Sequence, residues 1–260
     1  MAALARKSGF LGWAIAFALL LAADSCARPV PAGESCGQGA AAGDVLVFTR
    51  TTGYRHDSIP AGIAALKELG AQAGYVVEAS EDPCALSEQA LAHLRVVVFL
   101  NTSGTILQDE QRSAFEKWVR AGGGFVGVHA AADTEYDWPF YDQLLGTHFA
   151  SHPAIQSATI RVIDSQHPVT AALPAAWTRT DEWYDFRSQP AGVQVLAELD
   201  ESTYSGGRMG QHHPILWTHE LGSGRCVYLA AGHTLQSYAE PLFRSVLLGA
   251  LRFASGDARP

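Results

Sequence analysis

Apolar runs and amphipathic stretches alternate along this chain from Asp44 onwards. Val45–Thr49, Tyr75–Ala79, Arg95–Leu100 and Phe125–His129 are short segments rich in β-branched and aromatic residues, with little polar alternation. Such runs suit strands buried on both faces. Between them, Ile59–Gly74 reads as a helix with Pro60 in its first turn, and Ser87–Leu94 as a helix opened by a serine cap. Leu107–Arg120 is amphipathic: Leu107, Gln111, Ala114, Phe115, Trp118 and Val119 share a mostly apolar face, and Gly122–Gly124 stops it. Later the pattern loosens into strands near Ala158–Ile163, Gln194–Leu199, Ile215–His219 and Cys226–Ala231, then a closing helix from Pro241 to about Phe253. No internal repeat is visible. The alternation predicts an α/β fold, a flavodoxin-like parallel sheet with helices on both faces, carrying a strand-rich addition in its second half.

Two stretches stand outside this pattern. Arg6 and Lys7 precede an apolar run from Phe10 to Ala23, and small residues follow, so residues 1–27 read as an export signal. The run is shorter than the ~20 residues a bilayer-spanning helix needs. Ser25-Cys26-Ala27 suits ordinary signal peptidase and a soluble periplasmic or extracellular product. Ala23-Asp24-Ser25-Cys26 loosely resembles a bacterial lipobox, which would put a lipid anchor on Cys26. Residues 28–43, rich in Pro, Gly and Ala, form a linker, and the folded domain spans residues 44–254.

Composition narrows the partners. The chain has 260 residues, 48% of them hydrophobic and 17% charged, which is ample for one sizeable core. A net charge of −8 without any basic run argues against nucleic acid. Export permits disulfides. Cys36 and Cys84 lie in turn-rich segments and form the candidate pair, whereas Cys226, inside a strand pattern, reads as a buried free thiol. The cysteine spacing makes no zinc knuckle.

Candidate chemistry gathers at the strand ends, where open α/β sheets bind ligands. The first strand runs into Arg50–Ser58, the third into Asn101–Gly104, the fourth into His129 with Asp133 and Glu135 beyond, and the last into Gly232-His233-Thr234. Gly127-Val128-His129-Ala130-Ala131 has the small-x-nucleophile-x-small form of the elbow that exposes a hydrolase nucleophile, with imidazole in the nucleophile's place. His56, His129 and His233 are expected within about 10 Å of one another, since neighbouring strands lie ~4.8 Å apart. They suit general acid/base catalysis tuned by Asp133 and Glu182. A second version makes the three histidines ligands of zinc or another divalent metal. The bland readings are a satisfied core histidine at 129 and a helix N-cap at Asp57 or Ser58. His148 and His152 have the i, i+4 spacing of a metal pair, but glycine before them and proline after them argue against a helix there. Asp181-Glu182-Trp183-Tyr184 sets carboxylates beside aromatic faces, as a saccharide platform would. Arg55, Tyr136, Trp138 and His213 complete the substrate-binding candidates.

Gly53–Pro60, Gly127–Tyr136, Ser151–Ile155, Thr180–Tyr184, Leu199–Tyr204 and Gly232–Thr234 together resemble the ThuA-like family, across roughly residues 44–254. That family is named for a trehalose-utilisation protein and is related in fold to class I glutamine amidotransferases. The resemblance implies an amidotransferase-like α/β fold and a link to carbohydrate metabolism. The amidotransferase cysteine is replaced by His129, so glutamine hydrolysis is rejected on chemistry. Two functions stay open: a hydrolase or isomerase acting on a small saccharide or oxidised sugar, and a non-catalytic saccharide-binding module. The second would use Trp183, Tyr184, Tyr136 and Trp138 as platforms.

Overall fold

The computed structural model describes residues 43–258. The export signal over residues 1–27 and nearly all of the linker over residues 28–43, with Cys26 and Cys36, lie outside the described residues. Cys84 is disulfide-bonded, and Cys226 is a buried free thiol whose burial raises its pKa.

The first half alternates as its pattern predicts: β1 (Val45–Phe48), α1 (Ile59–Gln72), β2 (Val77–Ser80), α2 (Glu88–Leu91), β3 (Val96–Leu100), α3 (Asp109–Arg120), β4 (Gly124–Val128) and a short α4 (Pro139–Leu145). The second half holds β5 (Phe149–Ser151), β6 (Gln156–Val162), β7 (Ala176–Asp181), β8 (Asp185–Phe186), β9 (Gln194–Asp200), β10 (Pro214–Leu221), β11 (Gly224–Leu229) and α5 (Pro241–Ser255). Among the described residues, nine strands form one sheet in the order β2-β1-β3-β4-β11-β10-β9-β6-β7, while β5 and β8 pair separately. From β2 to β11 every pairing is parallel, and from β11 to β7 every pairing is antiparallel. The sheet is therefore mixed. The hairpin between β10 and β11 shows why. Only Gly222 and Ser223 connect them, with Gly222 at φ +66°, and so short a link cannot carry the long crossover a parallel pair requires.

Helices cover both faces of the parallel half. Phe99 stacks on Phe115 of α3, while the next residue, Leu100, meets α1 at Gly62. Successive strand residues point to opposite faces, so α1 and α3 lie on opposite sides. The core is continuous from Val45 to Ala254. Local caps only partly follow the sequence reading. Ser87 caps α2 through Ala90 N, as expected. Ser58 occupies the N-cap of α1 but makes no cap bond; its hydroxyl donates to Gly232 O and accepts from Asn101 Nδ2. Gln111 is buried on the same face of α3 as Phe115 and Val119, as expected, and its Oε1 accepts from Gln108 N.

The antiparallel half curls. Register shifts between β9 and β10 at Pro214/Leu216 and Leu216/Trp217 mark bulges, which bend a sheet. In a flat sheet β7, four strands from β11, would lie ~19 Å away. Instead Asp181, the last residue of β7, accepts from Gly232 N at 2.9 Å and His233 N at 3.1 Å, just beyond β11. The curl brings the following residue, Glu182, over the ends of the parallel strands.

Candidate active site

β4 ends in the predicted elbow. His129 has φ 48°, a left-handed conformation that costs a non-glycine residue about 1–2 kcal/mol. Gly127 makes room for the turn: a Cβ there would meet Tyr228 Cδ2 at 3.1 Å and Ala131 Cβ at 3.3 Å. The Tyr228 hydroxyl donates to His129 O, and His129 Nδ1–H donates to Ala230 O at 2.7 Å. The latter bond assigns the proton to Nδ1 and leaves Nε2 aimed at Glu182. His56 reaches the same point from the loop after β1, and His233 from the end of β11. Ring centroids are 4.9 Å apart for His56–His129, 4.9 Å for His56–His233 and 5.3 Å for His129–His233.

Glu182 sits among them. Its Oε2 lies 3.3 Å from His129 Nε2 and 3.0 Å from His233 Nδ1, and its Oε1 lies 3.2 Å from His152 Nδ1. The first two approaches are close without hydrogen-bond alignment. His129 Nε2, His233 Nδ1 and His56 Nδ1 are buried nitrogens without a hydrogen-bond partner among the described residues. Burial, reinforced by His129 and His233, pushes the His56 pKa down to about 3. The adjacent Glu182 carboxylate raises that of His233 against the effect of burial. Burial pushes Glu182 up, but the close approach of the His129 and His233 rings outweighs it and holds the carboxyl below its usual range.

A cavity of about 460 Å³ opens above this cluster. Glu182, His56, His233, His152 and Asp133 supply its polar wall, and Tyr54, Phe149 and Tyr184 its aromatic one. His129 is 0% exposed and does not line the cavity; it stands one layer deeper, with Tyr184 packed on it at 4.1 Å. Asp133 reaches the wall, with Oδ1 accepting from the Tyr136 hydroxyl.

Several expected substrate-binding residues lie elsewhere. Trp183 is 0% exposed, with Nε1 donating to Gln156 O. Residues alternate sides along an extended stretch, so Glu182 and Tyr184 share the cleft while Trp183 between them turns into the core. The same rule separates Tyr54 and His56, at the cleft, from Arg55, which turns to Thr49 O and Glu81. Trp138 packs in the core against Phe140 and Tyr141. Tyr136 lines a neighbouring cavity of about 280 Å³ with His148 and Arg187. His213 is buried between Glu201 and Tyr184 O. His148 and His152 form no pair: His148 Nε2 contacts Asp142 Oδ1, whereas His152 belongs to the cleft. Tyr54, Phe149 and His152 are the lining residues that the sequence reading did not assign to this cleft. Each lies within or beside a block quoted for the resemblance.

A family model described as ThuA, trehalose utilisation, matches residues 44–254. Among solved structures, a ThuA-like protein from Bacteroides uniformis is 23% identical with a TM-score of 0.68, over 87% of this chain and 95% of that one. One from Parabacteroides merdae is 20% identical with a TM-score of 0.67, over 82% of this chain and 90% of that one. A β-galactosidase from Bacillus circulans shares the fold at 14% identity and a TM-score of 0.51, over 82% of this chain but 30% of the galactosidase. A search of curated proteins finds no match.

Proposed function

The chain belongs to the ThuA family of carbohydrate utilisation, and from that premise we propose that its cleft acts on a small saccharide or oxidised sugar, as a hydrolase or isomerase. The observation that carries this reading is one carboxylate, Glu182, contacted by imidazoles from three separate segments in the wall of an open cleft. Glu182, held ionised, is suited to accept a proton from a sugar hydroxyl or an attacking water, and His233 beside it to return one. His56 remains neutral near pH 7, so it serves as a hydrogen-bonding group and not as a charge. His129 tunes Glu182 from behind. Tyr54, Phe149 and Tyr184 offer faces to the apolar side of a sugar ring, with Asp133 and His152 as partners for its hydroxyls. In this reading the export signal delivers the chemistry to the periplasm or cell exterior, either soluble or anchored through Cys26.

The test is a panel of mono- and disaccharides, oxidised forms included, followed by NMR for turnover and calorimetry for binding. Glu182→Gln is expected to lower turnover about 100-fold or more with a modest change in affinity. The rival reading, a binding module, draws on Tyr54, which is 62% exposed at the cleft rim. It predicts saccharide affinity with no turnover in the wild-type protein.

A further inference from the structure

The cleft floor holds buried polar atoms that find no partner among the described residues. Nearly all buried polar groups in folded proteins find a partner, because an unsatisfied one forfeits its hydration without return. Here three imidazole nitrogens within one small volume lack partners among the described residues. His129 is the most telling. With its Nδ1 proton donated to Ala230 O, a neutral ring turns its Nε2 lone pair toward the lone pairs of Glu182 Oε2, 3.3 Å away. Two lone pairs facing each other repel unless a positive charge lies between them. A proton there would satisfy one pair of atoms, yet the cluster presents His56 and His233 to the same point.

We propose that His56, His129, His233 and Glu182 bind one divalent first-row metal ion at the floor of the cleft, with a coordination position open to the cavity. Each residue offers one ligand atom, and all four atoms lie within 4.8 Å of one another. Ligands ~2.1 Å from a shared ion sit about 3–4 Å apart, the range in which the two Glu182 contacts fall. Imidazole with a single carboxylate is a donor set suited to zinc and its neighbours. The surroundings complete the arrangement. Ala230 O orients His129 through its second nitrogen, as outer partners orient metal-bound imidazoles. Asp181 binds the backbone of Gly232 and His233, fixing the loop that presents the His233 ring. His129 lies beneath and the cavity above, so a bound ion would face whatever enters. Such an ion polarises an oxygen or activates a water. The identity of that oxygen as a saccharide's rests on the proposed function; the ion site does not.

The test is calorimetry on the full chain after chelator treatment, with Zn²⁺, Mn²⁺ and Co²⁺ titrated separately, together with the visible spectrum of the Co²⁺ form. One equivalent of at least one ion should bind with a submicromolar Kd. His129→Ala and Glu182→Gln should weaken it about 100-fold or more, while His148→Ala in the neighbouring cavity leaves it unchanged. Should His129→Ala fail to fold by circular dichroism, His56→Ala and His233→Ala at the cavity wall carry the same expectation. Folded wild-type protein that takes up none of the three ions overturns the proposal, as does unaltered binding by folded ligand variants. Saccharide turnover without ion binding refutes the metal and leaves the proposed function standing. Stoichiometric binding lost in the ligand variants, with no saccharide bound or turned over, supports the metal and refutes the saccharide reading.

Discussion

Among the described residues, two clusters of imidazole and carboxylate are built from the same residue types but left in opposite states. In the first, Asp185, Glu201 and His213, the polar atoms are already engaged. Asp185 Oδ1 accepts from Arg208 N, Glu201 Oε1 from Met209 N, and the His213 ring spans Glu201 Oε1 at 2.8 Å and Tyr184 O at 2.9 Å. In the second, Glu182 with His56, His129 and His233, close approaches leave three ring nitrogens unpartnered. Ligand-type residues in proximity therefore do not by themselves make a site. What distinguishes a site is bonding capacity that the fold leaves unused. The engaged cluster has its own role, because His213 holds the carbonyl of Tyr184, two residues from Glu182.

The contrast can be broken by experiment. The largest effect is expected in ligand-linked stability: saturating ion at 1,000 times Kd should stabilise the wild-type fold by about 4 kcal/mol, and Glu182→Gln should lose most of that gain. Thermal denaturation with and without ion reads both. If the ion-linked gain instead survives Glu182→Gln and vanishes in His213→Ala, the roles of the clusters are reversed. Next in size, His213→Ala should cost about 2–4 kcal/mol in urea unfolding, since Glu201 and the Tyr184 carbonyl lose their buried partner, yet the variant should still take up one ion.

A smaller effect should appear with pH. Metal-bound imidazoles must be deprotonated, so ion affinity should fall at least ~10-fold between pH 7.5 and 5.5. Glu182 raises the pKa of His233, so its proton competes with the ion as pH drops; His56, lowered to about 3, contributes little to the loss. Calorimetry across that range checks the sign, and affinity that rises in acid would contradict it. The smallest effect belongs to Arg55, which pairs with Glu81 on the surface. Arg55→Ala should change stability by less than ~0.5 kcal/mol and leave turnover unaltered. A large loss of turnover would extend the cleft to that residue.

Much of the fold was legible before the structure. β1 to β4, α1, α3 and α5 fall where apolar runs, Pro60 and the Gly122–Gly124 stop place them, because those signals act within a few residues. The elbow at His129 was legible from the small residues flanking it, and a side chain at Gly127 would crowd Tyr228, Ala131 and Leu145. The antiparallel half was less legible. Its strands were partly visible, but their direction depends on short links such as Gly222-Ser223.

By itself, the sequence determined that histidines follow the carboxyl ends of three strands and that these ends share one edge, since parallel strands buried on both faces align their carboxyl ends. The tertiary structure decided which neighbours join them. Alternation turned Tyr54, Glu182 and Tyr184 into the cleft and sent Arg55 and Trp183 away from it. Glu182 approaches only because bulges curl the sheet until Asp181, four strands distant, meets the turn at Gly232. That curl sums small twists and register shifts over many residues, and no local pattern encodes such a sum.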